Sequence, residues 1–288
     1  MAVNPQWVDV LARAVQTATV DLPRDVVRAL RDALGRETSD LARLHLETLL
    51  EDERVARDNG LPICQDTGTP VFFVRAGVDS PWLRDVPDAL VEAVLVATET
   101  IPLRPSAIHP FTDENVGNVG RGVPVIDWDL VPGREIEITY VAKGGGSENA
   151  SGLLFVRPGG GAAAVLGAVL AHVVRVAPRA CPPIVVGVGI GGTADLALRL
   201  AKRALVRRLD EHHPDPAVAA FESELLAAVN RSGIGPAGLG GVTTALAVHA
   251  DLAFRHPASL PVGVALQCWA DRRATVRIRE SGIAEAVE

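Results

Sequence analysis

A strand followed by a glycine turn and a helix is the feature that most constrains the fold of this chain. The sequence PPIVVGVGIGG from Pro182 is as continuously apolar as a buried strand, and TADLALRLAKRALVRRL follows with apolar residues at helical spacing. Strand-like and helix-like segments alternate through the rest of the chain as well. Because helices cover the faces of the sheet in such chains, the sequence predicts an α/β fold with a mixed sheet covered by helices.

The first 58 residues are predicted to form a helical N-terminal segment. Asn4 before Pro5 is typical of an N-cap with Pro at the first helical position, and Asn59-Gly60 closes the segment. No internal repeat and no linker divides the sequence, so a single domain over residues 1–288 is predicted.

Composition excludes several classes of protein. A chain of 288 residues with 48% hydrophobic and 22% charged residues is globular, and its net charge of -7 argues against nucleic acid or an anionic membrane as the main partner. The N-terminus lacks the pattern of a signal peptide, which predicts a cytoplasmic protein. The apolar run from Gly159 is shorter than the roughly 20 residues a bilayer requires, so no membrane span is predicted.

Three cysteines, Cys64, Cys181 and Cys268, lie at the ends of predicted strands or in the adjoining loops. Loops at strand ends are where an α/β fold collects functional side chains. The sequence has no C-x-x-C pair, which excludes most zinc and ferredoxin patterns. Two interpretations stay open on the pattern alone. The cysteines are small buried apolar residues, or their three thiolates hold a 4Fe-4S cluster that leaves one iron without a protein ligand.

Other loops carry groups that suit anion binding. The glycines of KGGGSEN, from Lys143, let backbone N–H groups approach a carboxylate or phosphate, although a plain hairpin or disordered loop has the same composition. Arg104, in a loop bounded by prolines, is either a carboxylate clamp or a solvated side chain. His256 is a loop histidine. GVGIGG, from Gly187, loosely matches a dinucleotide motif, so a nucleotide-binding or regulatory module is the competing hypothesis.

The motifs occur in a characteristic order: PICQDTG, LRP, KGGGSEN, GVGIGGTAD, GIGPAGLGG and HPASLPVGVALQC. This series resembles the iron-sulfur class I fumarate hydratases and the related L-tartrate dehydratases, in their α-type catalytic region. The likeness runs from about Asn59 to Arg273. It implies that residues 1–288 form a single α-type hydro-lyase domain. The ENVGNVGRGVP loop departs from the Asn-rich loop of that family and leaves the roles of Asn115 and Asn118 open.

The resemblance implies a 4Fe-4S cluster held by Cys64, Cys181 and Cys268, with the fourth iron acting on the substrate as a Lewis acid. It implies Asp66 as the proton donor to the leaving hydroxyl. The residues that would contact the substrate are Gln65, Arg104, Gly145, Gly146 and His256.

Because the β-type region of the family is absent from this sequence, the resemblance also implies a separate β subunit that completes the active site. The substrate would be a small dicarboxylic acid, with hydration of fumarate to L-malate as the first candidate reaction and dehydration of L(+)-tartrate to oxaloacetate as the second.

Overall fold

The computed structural model describes residues 4–287, which divide into two compact units. Unit 1 consists of the described residues up to Pro23, the segment Asp52–Gly144 and the described residues from Arg272 onwards. Unit 2 consists of Arg24–Glu51 and Gly145–Asp271. The prediction of a single domain over residues 1–288 stays a prediction, because two compact units can still unfold as one.

The predicted helical N-terminal segment is confirmed. It contains α1 (Pro5–Val20), α2 (Arg24–Arg36) and α3 (Asp40–Asn59). The side-chain oxygen of Asn4 accepts a hydrogen bond of 3.0 Å from the backbone N–H of Gln6, as expected for an N-cap.

Unit 1 is built on a five-stranded sheet in the order β2-β1-β3-β8-β9. Its strands are β1 (Thr69–Gly77), β2 (Val125–Val131), β3 (Ile136–Lys143), β8 (Arg273–Ile278) and β9 (Ala284–Val287). The pairing of β1 with β2 is parallel and the others are antiparallel, so the sheet is mixed. Helix α1 and helix α4 (Val86–Thr100) contribute to its apolar core, which includes Trp7, Leu11, Val15, Phe72, Val74, Leu90, Val94, Ile138 and Val276.

Strands β2 and β3 are joined at Pro132-Gly133, but they do not pair with each other, since β1 lies between them. The connection passes over the end of β1, where Gly77 N donates to Glu135 O at 2.9 Å. A Cβ added at Gly77 would lie 2.3 Å from the carbonyl carbon of Gly133. The turn therefore requires glycine at Gly77 for close approach of two backbones.

Unit 2 is built on a four-stranded mixed sheet in the order β4-β7-β5-β6. Its strands are β4 (Gly152–Phe155), β5 (Ile184–Gly192), β6 (Ala245–Arg255) and β7 (Pro261–Gln267). Besides α2 and the first part of α3, its helices are α5 (Gly145–Glu148), α6 (Gly161–Val176), α7 (Ala194–Ala204) and α8 (Pro216–Asn230). The mixed α/β fold with helix-covered sheets is thus confirmed in both units.

Alternate residues of β5 face different helices. Val186 and Val188 belong to the apolar core formed with α6 and α8. On the other face, a Cβ added at Gly187 would lie 2.1 Å from Ala201 O, and one at Gly189 would lie 2.0 Å from Ala197 O. These two glycines of GVGIGG therefore let α7 pack directly on the strand, which leaves no space above them for a nucleotide.

One helical stretch among the described residues, Pro158–Arg179, is long and apolar enough to cross a membrane by length and composition alone. It covers 22 residues with a mean hydropathy of 1.7, longer than the run predicted from the sequence, because short 3₁₀ turns extend α6 at both ends. Its buried residues Val165, Val169 and Val173 pack into the apolar core of unit 2. Core helices of globular proteins pass the same test of length and composition.

Candidate functional site

The Asp66 loop, residues 64–68, follows α3 in unit 1. Oδ1 of Asp66 accepts a hydrogen bond of 3.0 Å from Gly68 N, which fixes the carboxylate within its own loop. Gly68 has a φ of +82°, and a Cβ there would lie 2.7 Å from the carbonyl carbon of Ala142 at the end of β3. The loop is therefore held against β3 at a position that only glycine can occupy. Cys64 and Asp66 are half-buried, and Gln65 is exposed.

The loop that carries Arg104 is bonded to the Asp66 loop. The buried Thr67 accepts a hydrogen bond of 3.0 Å at Oγ1 from Arg104 N, while the Arg104 side chain itself is exposed. Unit 1 therefore brings together the segments of Cys64, Gln65, Asp66 and Arg104. A guanidinium in this position has the freedom to meet a ligand carboxylate.

Two asparagines stabilise the Arg104 loop through side-chain hydrogen bonds. Oδ1 of the buried Asn118 accepts from Ser106 N at 3.0 Å, and its Nδ2 donates to Thr98 Oγ1 at 3.3 Å. Asn115 donates from Nδ2 to Pro105 O at 3.3 Å. The two residues whose roles the sequence leaves open thus hold the shape of this loop through local side-chain bonds.

Arg272 is a residue of this site that sequence reasoning misses. A Cβ added at Gly144 would lie 3.3 Å from Asp66 Oδ2 and 3.8 Å from Arg272 Nη2, so both side chains approach the same face of Gly144. Arg272 is only 1% exposed. The available signal is the pair Arg272-Arg273 at the start of β8, because arginines are seldom fully buried unless they are paired.

Tyr140, in β3, lies within the electrostatic reach of Arg272. Burial raises the pKa of the Tyr140 phenol to about 12, and the positive charge of Arg272 acts against this rise. Its ring centroid lies 5.3 Å from that of Phe72, inside the core of unit 1.

The other two cysteines lie close together along the backbone of unit 2. Trp269 N, directly after Cys268, donates a hydrogen bond of 3.2 Å to Cys181 O. Cys181 is exposed and has a φ of +54°, a left-handed conformation that costs a non-glycine residue about 1–3 kcal/mol and occurs often at functional sites. Cys268 is half-buried.

Gly145 and Gly146 form neither a hairpin nor a disordered loop, since they begin the single helical turn α5. A Cβ at Gly146 would lie 3.2 Å from Arg179 O, two residues before Cys181. The glycine turn therefore adjoins the Cys181 segment. Both glycines are exposed.

His256 lies at the other end of the sheet of unit 2. Ile184 pairs with Ala245 at one end of β5 and β6, and Gly192 pairs with Arg255 at the other. His256 follows Arg255, whereas Cys181 precedes Ile184, so about 25 Å of strand separates them at the usual rise per residue. The structure does not bring His256 together with the cysteines of its own unit, and its substrate contact stays a prediction.

The thiols of Cys64, Cys181 and Cys268 are all free of disulfides. Cys64 belongs to unit 1, and the other two belong to unit 2. Residues 4–287 contain no group of three or more His, Cys, Asp or Glu side chains arranged to hold a metal ion. The assignment of these cysteines as cluster ligands stays a prediction.

Comparison with known proteins gives consistent results. The family model for fumarate hydratase (Fumerase) matches residues 8–277. The putative L(+)-tartrate dehydratase subunit alpha of Methanocaldococcus jannaschii is 44% identical over 276 residues, which cover 94% of this chain and 97% of that protein. The L(+)-tartrate dehydratase subunit alpha of Escherichia coli strain UTI89 is 37% identical over 279 residues, covering 96% and 92% respectively. The chain belongs to the fumarate hydratase (Fumerase) family of hydro-lyase enzymes.

Proposed function

We propose that this chain is the α subunit of a hydro-lyase that removes water from a four-carbon hydroxy-dicarboxylic acid. The observation that carries the proposal is the carboxylate of Asp66, which a backbone N–H fixes at Oδ1 while Oδ2 lies beside Gly144 and Arg272. A carboxyl group fixed in position suits a reaction that protonates a leaving hydroxyl, and a guanidinium near it suits an anionic substrate.

The first candidate substrate is L(+)-tartrate, with oxaloacetate as the product. This choice is supported by the names of the relatives from M. jannaschii and E. coli, both of which are L(+)-tartrate dehydratase alpha subunits. The family model, which bears the name fumarate hydratase, supports L-malate and fumarate as the second candidate pair. The order of the two candidates is thus the reverse of the order that the sequence suggests.

The residues of this chain have distinct tasks in the proposed reaction. Asp66 donates the proton that hydroxide requires in order to leave as water, an effect worth about 10²- to 10⁴-fold for a positioned acid. Arg104 and Gln65 orient the carboxylates of the substrate, so that the carbon bearing the hydroxyl is held at Asp66. Gly145 and Gly146 offer backbone N–H groups to a substrate carboxylate.

The proposed cofactor is a 4Fe-4S cluster on Cys64, Cys181 and Cys268. The support is the chemistry of the donor set, because cysteine thiols are suitable ligands for iron-sulfur clusters and none of these three is used in a disulfide. When bound, the cluster supplies a Lewis acid for the leaving hydroxyl. The described residues show no preassembled group for it. Cysteines without disulfides also suit a reducing compartment, which supports the cytoplasm as the location.

The proposed partner is a β subunit that completes the active site, in keeping with the subunit names of both relatives. To test the function, the chain is co-expressed with the product of a neighbouring reading frame, purified without oxygen and incubated with L(+)-tartrate, L-malate and fumarate. Formation of oxaloacetate from tartrate supports the first candidate, and interconversion of malate and fumarate supports the second. Iron-loaded protein that turns over none of the three contradicts the proposal.

A further inference from the structure

Arg272 is buried in an unusual electrostatic state. The side chain is 1% exposed, and among residues 4–287 neither Nε nor Nη1 has a hydrogen-bond partner. A buried charge without compensation is costly, and native proteins rarely keep unbonded buried N–H groups without a reason. These N–H groups are therefore suited to donate hydrogen bonds to an anion from outside the chain.

The guanidinium is held at the candidate site. Ala142 N donates a hydrogen bond of 3.1 Å to Arg272 O, which fixes the backbone of Arg272 beside the end of β3. Nη2 lies 3.8 Å from the position that a Cβ would occupy at Gly144, and Oδ2 of Asp66 lies 3.3 Å from the same position. The φ of Gly144 is not in the left-handed region, so its backbone conformation does not explain the glycine, whereas the close approach of Asp66 Oδ2 does.

A carboxylate is the anion that best fits these surroundings. The planar guanidinium matches a carboxylate in geometry and in charge, and the match is stronger where water is excluded. Among the substrate contacts implied by the resemblance, only the exposed Arg104 is an arginine, whereas the proposed substrates carry two carboxylates.

We propose that Arg272 binds a carboxylate of the dicarboxylic substrate in the space bounded by Gly144 and Asp66. This inference rests on the proposed function, because it takes its ligand class from there. Arg272 would thus anchor one end of the substrate while Asp66 acts on the hydroxyl.

Arg272→Met tests the inference in the chain co-purified with its partner. The probe is succinate, a dicarboxylate that has no hydroxyl to lose. Removal of a buried guanidinium whose Nε and Nη1 have no hydrogen-bond partner should leave the Tm of the unliganded protein unchanged or raised, as for buried ionic groups replaced by apolar ones. The Kd for succinate should rise about 10- to 100-fold, the usual range for a lost hydrogen bond to a charged group. A wild-type Kd in folded Arg272→Met would overturn the inference.

Two further variants make the test decisive. Gly144→Ala places a methyl group 3.3 Å from Asp66 Oδ2 and 3.8 Å from Arg272 Nη2, and it should also weaken succinate binding. If Arg272→Met fails to fold, an unchanged Kd in Gly144→Ala overturns the inference. The matched control is Arg277→Met, because Arg277 lies on β8, which begins directly after Arg272, and pairs with Glu137 at 2.8 Å; its Kd should be that of the wild type.

The two proposals fail separately. Turnover of tartrate or malate by the wild type, with succinate binding that does not depend on Arg272, contradicts the inference alone. Succinate binding that depends on Arg272, in an iron-loaded protein without turnover, contradicts the proposed function and leaves Arg272 as a carboxylate-binding residue.

Discussion

Three ionisable side chains lie in β3 or near its end. The carboxylate of Asp66 is fixed by Gly68 N, the Arg272 guanidinium is buried near it, and the Tyr140 phenol is buried in the adjoining core. Each group is ionisable; Arg272 and Tyr140 are buried and Asp66 is half-buried. The chemistry of this end of unit 1 is therefore set by buried charge rather than by a solvated surface.

The ionisation of Tyr140 can be measured without interference, because it is the only tyrosine in the chain. Burial raises its pKa to about 12 from an ordinary value of 10.0. The raised pKa contributes stability that is complete below pH 10.0 and is lost as the pH rises through about 12.

An alkaline titration followed by tyrosinate absorbance should show no ionisation of native Tyr140 near pH 10.0. The same titration in denaturant, where the phenol is solvated, provides the control and should show ionisation near that pH. A native titration that coincides with the denatured one would contradict the burial of Tyr140 beside Arg272.

Residue-scale roles are only partly predictable from the sequence. Cys64, Asp66 and Arg104 stand in distinctive motifs, and the structure places their segments in unit 1. Arg272 carries no motif, because the burial of a charge depends on what the folded chain packs around it. His256 and Cys181 lie at opposite ends of the sheet of unit 2 because β5 and β6 pair in parallel, and the local sequence does not specify this pairing.

At the scale of elements, the glycines of β5 set the distance between strand and helix. Gly189 has no room for a side chain because Ala197 O of α7 occupies that position. The helix covers this face of the sheet through backbone contact, as glycine in a strand permits.

Gly189→Ala should therefore lower the free energy of unfolding by about 1–3 kcal/mol or more, since the added methyl group must displace α7. Gly167→Ala is the matched control, because no atom lies within 4 Å of an added Cβ in the middle of α6. Alanine there should stabilise the helix by roughly 0.5–1 kcal/mol. Urea unfolding measures both changes, and equal effects of the two variants would contradict the packing described for β5.

Glu37 anchors the start of α3 to a distant loop of unit 2. The buried carboxylate accepts hydrogen bonds from Thr38 N at 2.9 Å, from Ser39 N at 3.1 Å and from Val242 N at 2.9 Å. Burial by itself raises the pKa of this carboxyl, but the backbone donors outweigh it and hold the pKa below its ordinary value of 4.5.

Because the folded-state pKa is lowered, the contribution of Glu37 to stability is present above pH 4.5 and is lost as the pH falls through the folded-state pKa. Glu37→Gln should lower the free energy of unfolding by about 1–3 kcal/mol near neutral pH, with a smaller difference from the wild type in acid. Denaturant unfolding at several pH values measures the effect. Glu47→Gln, at an exposed position, is the control. A loss of unfolding free energy in Glu37→Gln that does not depend on pH would contradict the stabilising role of the Glu37 carboxylate.

The element boundaries show what local sequence can and cannot specify. The helices α1, α3, α7 and α8 follow from spacing and caps, and β5 follows from its apolar run. Strand β6 is not predicted, because ALAVHADLAFR mixes alanines and charges and becomes a strand only by pairing with β5. Which strands pair is likewise a property of the folded sheet, as β1 between β2 and β3 demonstrates.

At the scale of the whole molecule, the proposed cofactor requires all three cysteine thiols of the chain. Cys64→Ala, Cys181→Ala and Cys268→Ala should each abolish the broad visible absorbance of protein purified without oxygen, because the proposed cluster has no other thiol ligand in this chain. Iron analysis and the visible spectrum measure this outcome, and a wild-type protein that is active but colourless and iron-free would contradict it.

The central claim is that Asp66 serves a hydro-lyase reaction in an enzyme completed by a β subunit. The most direct measurement is the rate of L(+)-tartrate and L-malate dehydration by the co-purified, iron-loaded pair, for the wild type, for Asp66→Asn and for the exposed control Asp9→Asn. We expect kcat to fall about 10²- to 10⁴-fold in Asp66→Asn but not in Asp9→Asn, with iron content and Tm retained in both. Turnover by Asp66→Asn at the rate of the wild type would contradict it.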